Sequence, residues 1–232
     1  MTELTLTSSL VGPIALACIA VTALVASDFR QFRAGRFLFK PLAALAFIWL
    51  ALVLGATQSV YGQWLLAGLL CCLLGDQLLM PDHSGSFLAG LFAFLTGHLL
   101  YMVAFAQLGT AWQIMLLVGV PALLLLVLAA RWLLPHVPQP MKIPVSSYIV
   151  VITGMLLAAG LTGDQPAGVL VITGAWGFAL SDLAVARQRF VAPARGFMGN
   201  TALFRVANAD CRLAGTAIAR SPGVKRPGRI IN

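Results

Sequence analysis

The chain alternates long apolar runs with short polar connections. Seven such runs recur between residues 10 and 186, at 10–26, 41–56, 62–80, 87–108, 112–134, 143–161 and 166–186. A helix needs about 20 predominantly apolar residues to cross the hydrocarbon core of a bilayer. The pattern therefore predicts an all-α fold, a polytopic membrane bundle of seven transmembrane helices.

Basic residues fall in alternate connections. They follow the first run, flank the connection after the fifth and follow the seventh: Arg30, Arg33, Arg36, Lys40, Arg131, Lys142, Arg187 and Arg189. The stretches 57–61, 109–111 and 162–165 contain no Lys or Arg. Because cytoplasmic loops are enriched in Lys and Arg, the N-terminus is predicted outside and the basic loops inside. In a bacterium the membrane would be the inner one.

Composition agrees with a membrane protein. Hydrophobic residues make up 60% of the chain and charged residues 9%, whereas soluble domains carry about 25% charged residues. The net charge of +8 resides in the loops and the tail, so no nucleic-acid partner is predicted. The four cysteines lack metal-ligand spacing and are interpreted as small hydrophobic residues.

Two acids interrupt the apolar runs. Asp76 and Asp182 each lie four residues before the predicted cytoplasmic end of a helix, about 6 Å inside the same membrane face. A carboxylate in hydrocarbon is costly unless it faces a bundle interior or a wet cavity, so a shared pocket is predicted. Structural alternatives are an interhelical hydrogen bond for Asp76 and an ion pair with Arg187 or Arg189 for Asp182.

These acids belong to a longer pattern that resembles the TMEM86/YhhN family of integral membrane proteins. The matching residues are Gly75, Asp76, Leu78, Leu79, Met80, Phe87, Gly90, Leu91, Phe94, His98, Tyr101, Ser181 and Asp182, with a looser match at Lys40 and Pro41. Their order and spacing hold from about residue 40 to residue 190. The family includes lysoplasmalogenase.

The resemblance implies hydrolysis of the vinyl ether bond of a lysoplasmalogen, with a lysophospholipid and the bilayer as partners and no cofactor. Asp76 and Asp182 are the expected catalytic acid–base pair. The expected substrate-binding residues are His98, Tyr101, Lys40, Ser181 and Arg36. His98 is equally compatible with a neutral packing role. Alternatives for the whole chain are a metal-dependent, ceramidase-like hydrolase, which needs about three converging His residues, and a lipid or proton transporter.

The family usually has an eighth helix, which here would fall after residue 190. Arg205, Asp210 and Arg212 interrupt that apolar stretch, and each central charge costs about 2.5 to 3.5 kcal/mol of insertion free energy. We therefore predict a transmembrane domain over residues 1–190 and a basic, poorly ordered tail over 191–232, with the eighth helix degenerate or missing.

Overall fold

Seven long helices make up the described part of the chain. The computed structural model describes residues 3–30, 32–81 and 83–191, and contains no strand in these ranges. The helices are α1 Glu3–Phe29, α2 Arg33–Val53, α3 Val60–Leu78, α4 Ser84–Leu108, α5 Trp112–Leu133, α6 Gln139–Gly160 and α7 Gly168–Ala186. A π-helical turn, Arg187–Val191, continues α7. The predicted tail lies outside the described residues.

The largest difference from the predicted bounds is at α2. The prediction began this helix at residue 41, where the apolar run begins. The structure begins it at Arg33 and leaves Pro41 inside the helix. Most of the predicted basic loop is therefore helical, and Lys40 lies two turns into α2.

Within the described residues, six helices are long and apolar enough to cross a membrane. These segments are Ser9–Ser27, Ala34–Val53, Ser84–Leu108, Trp112–His136, Gln139–Gly160 and Gly168–Val191. The remaining helix, α3, carries Gln63, Asp76 and Gln77, which lower its apolar character. The predicted all-helical membrane bundle is confirmed, while the seventh span stays a prediction.

Close packing of α3 on α4 depends on glycine. A Cβ atom built at Gly75 would lie 2.6 Å from Cδ2 of Phe94, and one at Gly68 would overlap the ring of Tyr101. Without side chains at these positions the two helices approach closely, as small residues allow in membrane bundles. This contact fixes Asp76, next to Gly75, beside the aromatic face of α4.

The remaining helices pack around α6. Helix α6 contacts α4, α5 and α7, and the buried core includes Met155 and Leu156 of α6 together with Ala179 of α7. Helix α7 packs chiefly on α6 and reaches α4 through the ring of Phe178. At Gly174, on α7, a Cβ atom would meet nothing within 4 Å. Helix α7 is therefore held less tightly than α3.

Candidate functional site

A cavity of about 540 Å³ lies inside the bundle, and all seven helices and the π-helical turn contribute to its wall. Most lining residues are apolar. The polar lining side chains are Lys40, Cys72, Asp76, Tyr101, Tyr148, Thr153, Ser181, Asp182 and Gln188. An apolar pocket with a few grouped polar residues is typical of a small-molecule site, and its wall suits a hydrocarbon chain.

Asp76 is paired with a cation. Its Oδ1 atom lies 2.8 Å from Nζ of Lys40, which joins α3 to α2. The two side chains are 26% and 22% exposed, so both reach the cavity while remaining partly shielded. The carboxylate and the ammonium group therefore form an ion pair at the cavity wall.

Asp182 has quite different partners. The hydroxyl of Tyr148, on α6, donates a hydrogen bond of 3.0 Å to Oδ2 of Asp182. Nε2 of His98, on α4, lies 3.3 Å from the same oxygen. The side chain is 11% exposed, and Arg187 and Arg189 form no ion pair with it. The boundary ion pair considered as an alternative is therefore not formed among the described residues.

His98 lies behind the cavity wall. Its side chain is fully buried and is not among the residues that line the cavity. The ring packs edge-on against Phe178 and Tyr148, with centroids 4.8 and 5.5 Å away. Its predicted substrate contact is therefore replaced by a contact with Asp182.

The contacts of His98 constrain how many protons His98 and Asp182 hold together. Nδ1 lies 2.6 Å from the carbonyl oxygen of Phe94, which can only accept, so Nδ1 carries a hydrogen. Nε2 has no aligned hydrogen-bond partner among the described residues, although Asp182 is adjacent. A neutral ring would turn a lone pair toward an ionised carboxylate, which is repulsive. One extra proton on either group makes the contact attractive.

Tyr101 lines the cavity but is not bonded to His98. Its hydroxyl points to Sγ of Cys72 at 3.6 Å, and its ring centroid is 6.3 Å from that of His98. Cys72 is buried and has a free thiol. The Tyr101 hydroxyl is therefore paired across the α3–α4 contact.

The predicted site residues divide into two groups. Lys40, Asp76, Tyr101, Ser181 and Asp182 line one cavity. Arg36, which is 5% exposed, and His98 are not among the lining residues.

Asp182 is also farther from its helix end than predicted. The helix does not stop at Ala186, because the π-helical turn extends it to Val191. Nine residues follow Asp182 in this segment, and at about 1.5 Å per residue they place it roughly 13 Å from the end rather than about 6 Å. This depth lets Asp182 reach His98.

Tyr148 was missed as a site residue. It is one of three tyrosines in the chain and lies inside a predicted span, where a phenolic hydroxyl requires a partner. That requirement was the available signal. Phe178, which holds the His98 ring, carried no comparable signal because aromatic residues are common in apolar helices.

The other two histidines have local partners. His83 accepts a hydrogen bond from the amide of Gly85 at the start of α4, and Nδ1 of His136 lies 2.9 Å from the carbonyl oxygen of Trp132. Across residues 3–30, 32–81 and 83–191, no group of three or more His, Cys, Asp or Glu side chains could hold a metal ion. The three converging histidines of the metal-dependent alternative are thus not found there.

Comparisons with known proteins agree with the resemblance. The sequence profile of the YhhN family matches residues 35–205. Human lysoplasmalogenase TMEM86B is 32% identical over 162 residues, which cover 66% of this chain and 62% of the human protein. The chain thus matches less than two thirds of that relative's length. No solved structure matches.

Proposed function

This chain belongs to the YhhN family, and we propose that it is a membrane-embedded hydrolase that cleaves the vinyl ether bond of lysoplasmalogens. The products would be a fatty aldehyde and a glycerophospho-head group. The human relative, whose name is lysoplasmalogenase, supports this class of reaction. The observation that carries the proposal is the pair of differently partnered carboxyl groups in one largely apolar cavity.

The first chemical step is protonation of the alkenyl carbon that is not bonded to oxygen. The Asp182–His98 pair supplies this proton through Asp182, because the 3.3 Å contact between the two groups is attractive only when they share one proton beyond that on Nδ1 of His98. The C–H bond forms as the carbon–carbon double bond gives up its π electrons. The remaining carbon and the ether oxygen then share the positive charge as an oxocarbenium ion. General acids of this kind contribute about 10² to 10⁴-fold in rate.

The second step is capture of this cation by water. Asp76, whose Oδ1 lies 2.8 Å from Nζ of Lys40, stabilises the positive charge and accepts a proton from water as the oxygen adds to the charged carbon. As the hemiacetal breaks its bond to the ether oxygen, that oxygen takes the proton held by Asp76, and the hemiacetal hydroxyl gives its proton to Asp182. The aldehyde and an alcohol are released, and both acids are back in their starting states. Water supplies both hydrogens, so no other co-reactant is consumed.

Tyr148 and His98 act as positioning residues. Each contacts Oδ2 of Asp182 from a different helix, α6 and α4 respectively. Together they orient a carboxyl group whose own helix packs chiefly on α6. Tyr101 and Phe94 form part of the apolar wall against which the alkenyl chain would lie.

The same proposal includes the seventh span and the orientation. Helix α3 packs against α2 and α4, which supports its crossing the membrane despite its polar residues. The ends of α1, α3, α5 and α7 would then be cytoplasmic and the N-terminus external. Membrane-impermeant labelling of Gln58→Cys from outside, and of Pro138→Cys from inside only, is the expected result in a chain lacking other cysteines.

Aldehyde release from purified protein tests the proposed function. The protein in non-ionic detergent is incubated with a lysoplasmalogen, with and without a chelator, and the aldehyde is measured. Chelator-insensitive release that is lost in Asp182→Asn supports the proposal. Chelator-sensitive release would instead support the metal-dependent alternative. No release, together with lipid movement across reconstituted vesicles, would support a transporter.

A further inference from the structure

The π-helical turn after α7 forms part of the cavity wall. Gln188 and Phe190, both from Arg187–Val191, line the cavity at the end of the bundle where the basic residues are predicted to face the cytoplasm. π-helical turns are rare and frequently occur at functional sites. Neither the catalytic scheme above nor the predicted site residues account for this turn.

The turn also positions a cation against a ring that lines the cavity. Cζ of Arg189 lies 4.6 Å from the centroid of the Phe87 ring, a cation–π contact. Phe87 in turn packs edge-on against Phe190, with centroids 5.6 Å apart, and both rings line the cavity. Two aromatic side chains from α4 and the turn thereby fix Arg189 beside the cavity.

Arg189 has no carboxylate partner among the residues that the structure describes. Lys40, the cation inside the cavity, is already paired with Asp76. A contact with a ring face does not use the guanidinium N–H donors, which remain available for hydrogen bonds. A planar guanidinium with several N–H donors matches the oxygen atoms of a phosphate group.

We infer that Arg189, held over Phe87, binds the phosphate of an amphiphile whose hydrocarbon chain occupies the cavity. This rests on the proposed function and adds a specificity determinant to it. Substrates that carry a phosphodiester at the head should be preferred over neutral alkenylglycerols, because a neutral head offers the guanidinium no anion. The source of the phosphate is the substrate itself and not bulk lipid around the protein.

The experiment compares two substrates in phospholipid-free, non-ionic detergent. One is 1-alkenyl-glycerophosphocholine and the other is 1-alkenylglycerol, which lacks the phosphate. Arg189→Gln should lower kcat/KM for the first by about 10- to 100-fold, the size expected for hydrogen bonds to charged groups, and leave the second unchanged. Phe87→Leu keeps an apolar lining but removes the ring, so an intermediate loss for the phosphate substrate is expected.

Arg131→Gln is the matched control, since it removes one positive charge from the same end of the bundle without touching the cavity. Arg131→Gln should leave kcat/KM unchanged for both substrates. The inference would be overturned if Arg189→Gln lowered kcat/KM equally for both substrates, or for neither. Arg189→Lys should restore part of the preference, because it keeps the charge without the planar donor geometry.

Binding of uncleavable analogues separates this inference from the proposed function. The affinities of 1-alkyl-glycerophosphocholine and 1-alkylglycerol are measured on the wild type and on Arg189→Gln. A phosphate preference that depends on Arg189, without any aldehyde release from alkenyl substrates, would reject the hydrolase and retain the phosphate site. Aldehyde release with no Arg189-dependent preference would retain the hydrolase and reject the site.

Discussion

Asp76 and Asp182 are the same residue type in the same cavity, yet their surroundings differ in almost every respect. Asp76 faces an ammonium group at 2.8 Å and is about a quarter exposed. Asp182 is more buried and touches a phenol and an imidazole. The comparison teaches that neighbours, more than residue type, divide the acid and base roles.

The helices that carry the two acids also differ in how closely they pack on their neighbours. Helix α3 lies so close to α4 that a Cβ atom at Gly75 would lie 2.6 Å from Phe94. Helix α7 leaves open space at Gly174 and Gly177. Backbone packing therefore fixes Asp76, while the position of Asp182 depends more on its side-chain contacts with Tyr148 and His98.

Loss of either carboxyl group should produce the largest effect. Asp76→Asn and Asp182→Asn keep the side-chain volume but cannot transfer a proton, so each should lower kcat for aldehyde release by about 10² to 10⁴-fold. Because the two groups act in one reaction, the double variant should be little slower than either single variant. Membrane insertion, measured by expression and size-exclusion chromatography, should not change.

Near-normal turnover in either single variant would remove that residue from the mechanism. Modest, additive losses that follow thermal stability would indicate two structural polar contacts instead. Either result would contradict the assignment of acid and base roles to Asp182 and Asp76.

Removal of the Lys40 charge should have the next largest effect. Lys40→Met leaves Asp76 without its cation, so we expect kcat/KM to fall by roughly tenfold or more, the scale of a charged hydrogen bond. Lys40→Arg keeps the positive charge and should recover most of the activity. Equal losses in both variants would show that the shape of Lys40, and not its charge, matters to Asp76.

Removal of the Tyr148 hydroxyl tests the other acid. Tyr148→Phe deletes the 3.0 Å hydrogen bond to Asp182 and should lower kcat about tenfold with little change in KM, because the hydroxyl orients the acid and does not bind the chain. Tyr101→Phe is the control, since its hydroxyl meets only the weak acceptor Cys72 within the described residues. An equal effect of the two substitutions would remove the special role of Tyr148.

The sequence predicted most of this arrangement because the strongest signals in a membrane chain are apolar length and buried charge. Seven helices were expected, and both acids could be identified since a carboxylate in hydrocarbon needs an explanation. The partners could not be predicted. Contacts of Asp182 with Tyr148 and His98 depend on how α4, α6 and α7 rotate against one another, and no single-helix pattern contains that information.

The start of α2 and the end of α7 show a second limit. The apolar run begins at residue 41, but the helix begins at Arg33. At the other end, the basic residues after Ala186 indicated a loop, whereas the chain forms a π-helical turn that packs on Phe87. In both cases the helix extends past the apolar run into basic residues, so apolar length alone did not give the helix end.

The smallest expected effect concerns the packing of the two helices. Gly75→Ala would bring a methyl group against Phe94 and should destabilise the protein by about 1 to 3 kcal/mol, the usual scale of overpacking. Gly174→Ala faces open space and should be neutral or stabilising by about 0.5 to 1 kcal/mol, since alanine loses less backbone entropy in a helix. Thermal unfolding in detergent measures both. Equal shifts in Tm would contradict the close packing of α3 and the looser packing of α7. They would also contradict the view that backbone packing positions Asp76 whereas side-chain contacts position Asp182.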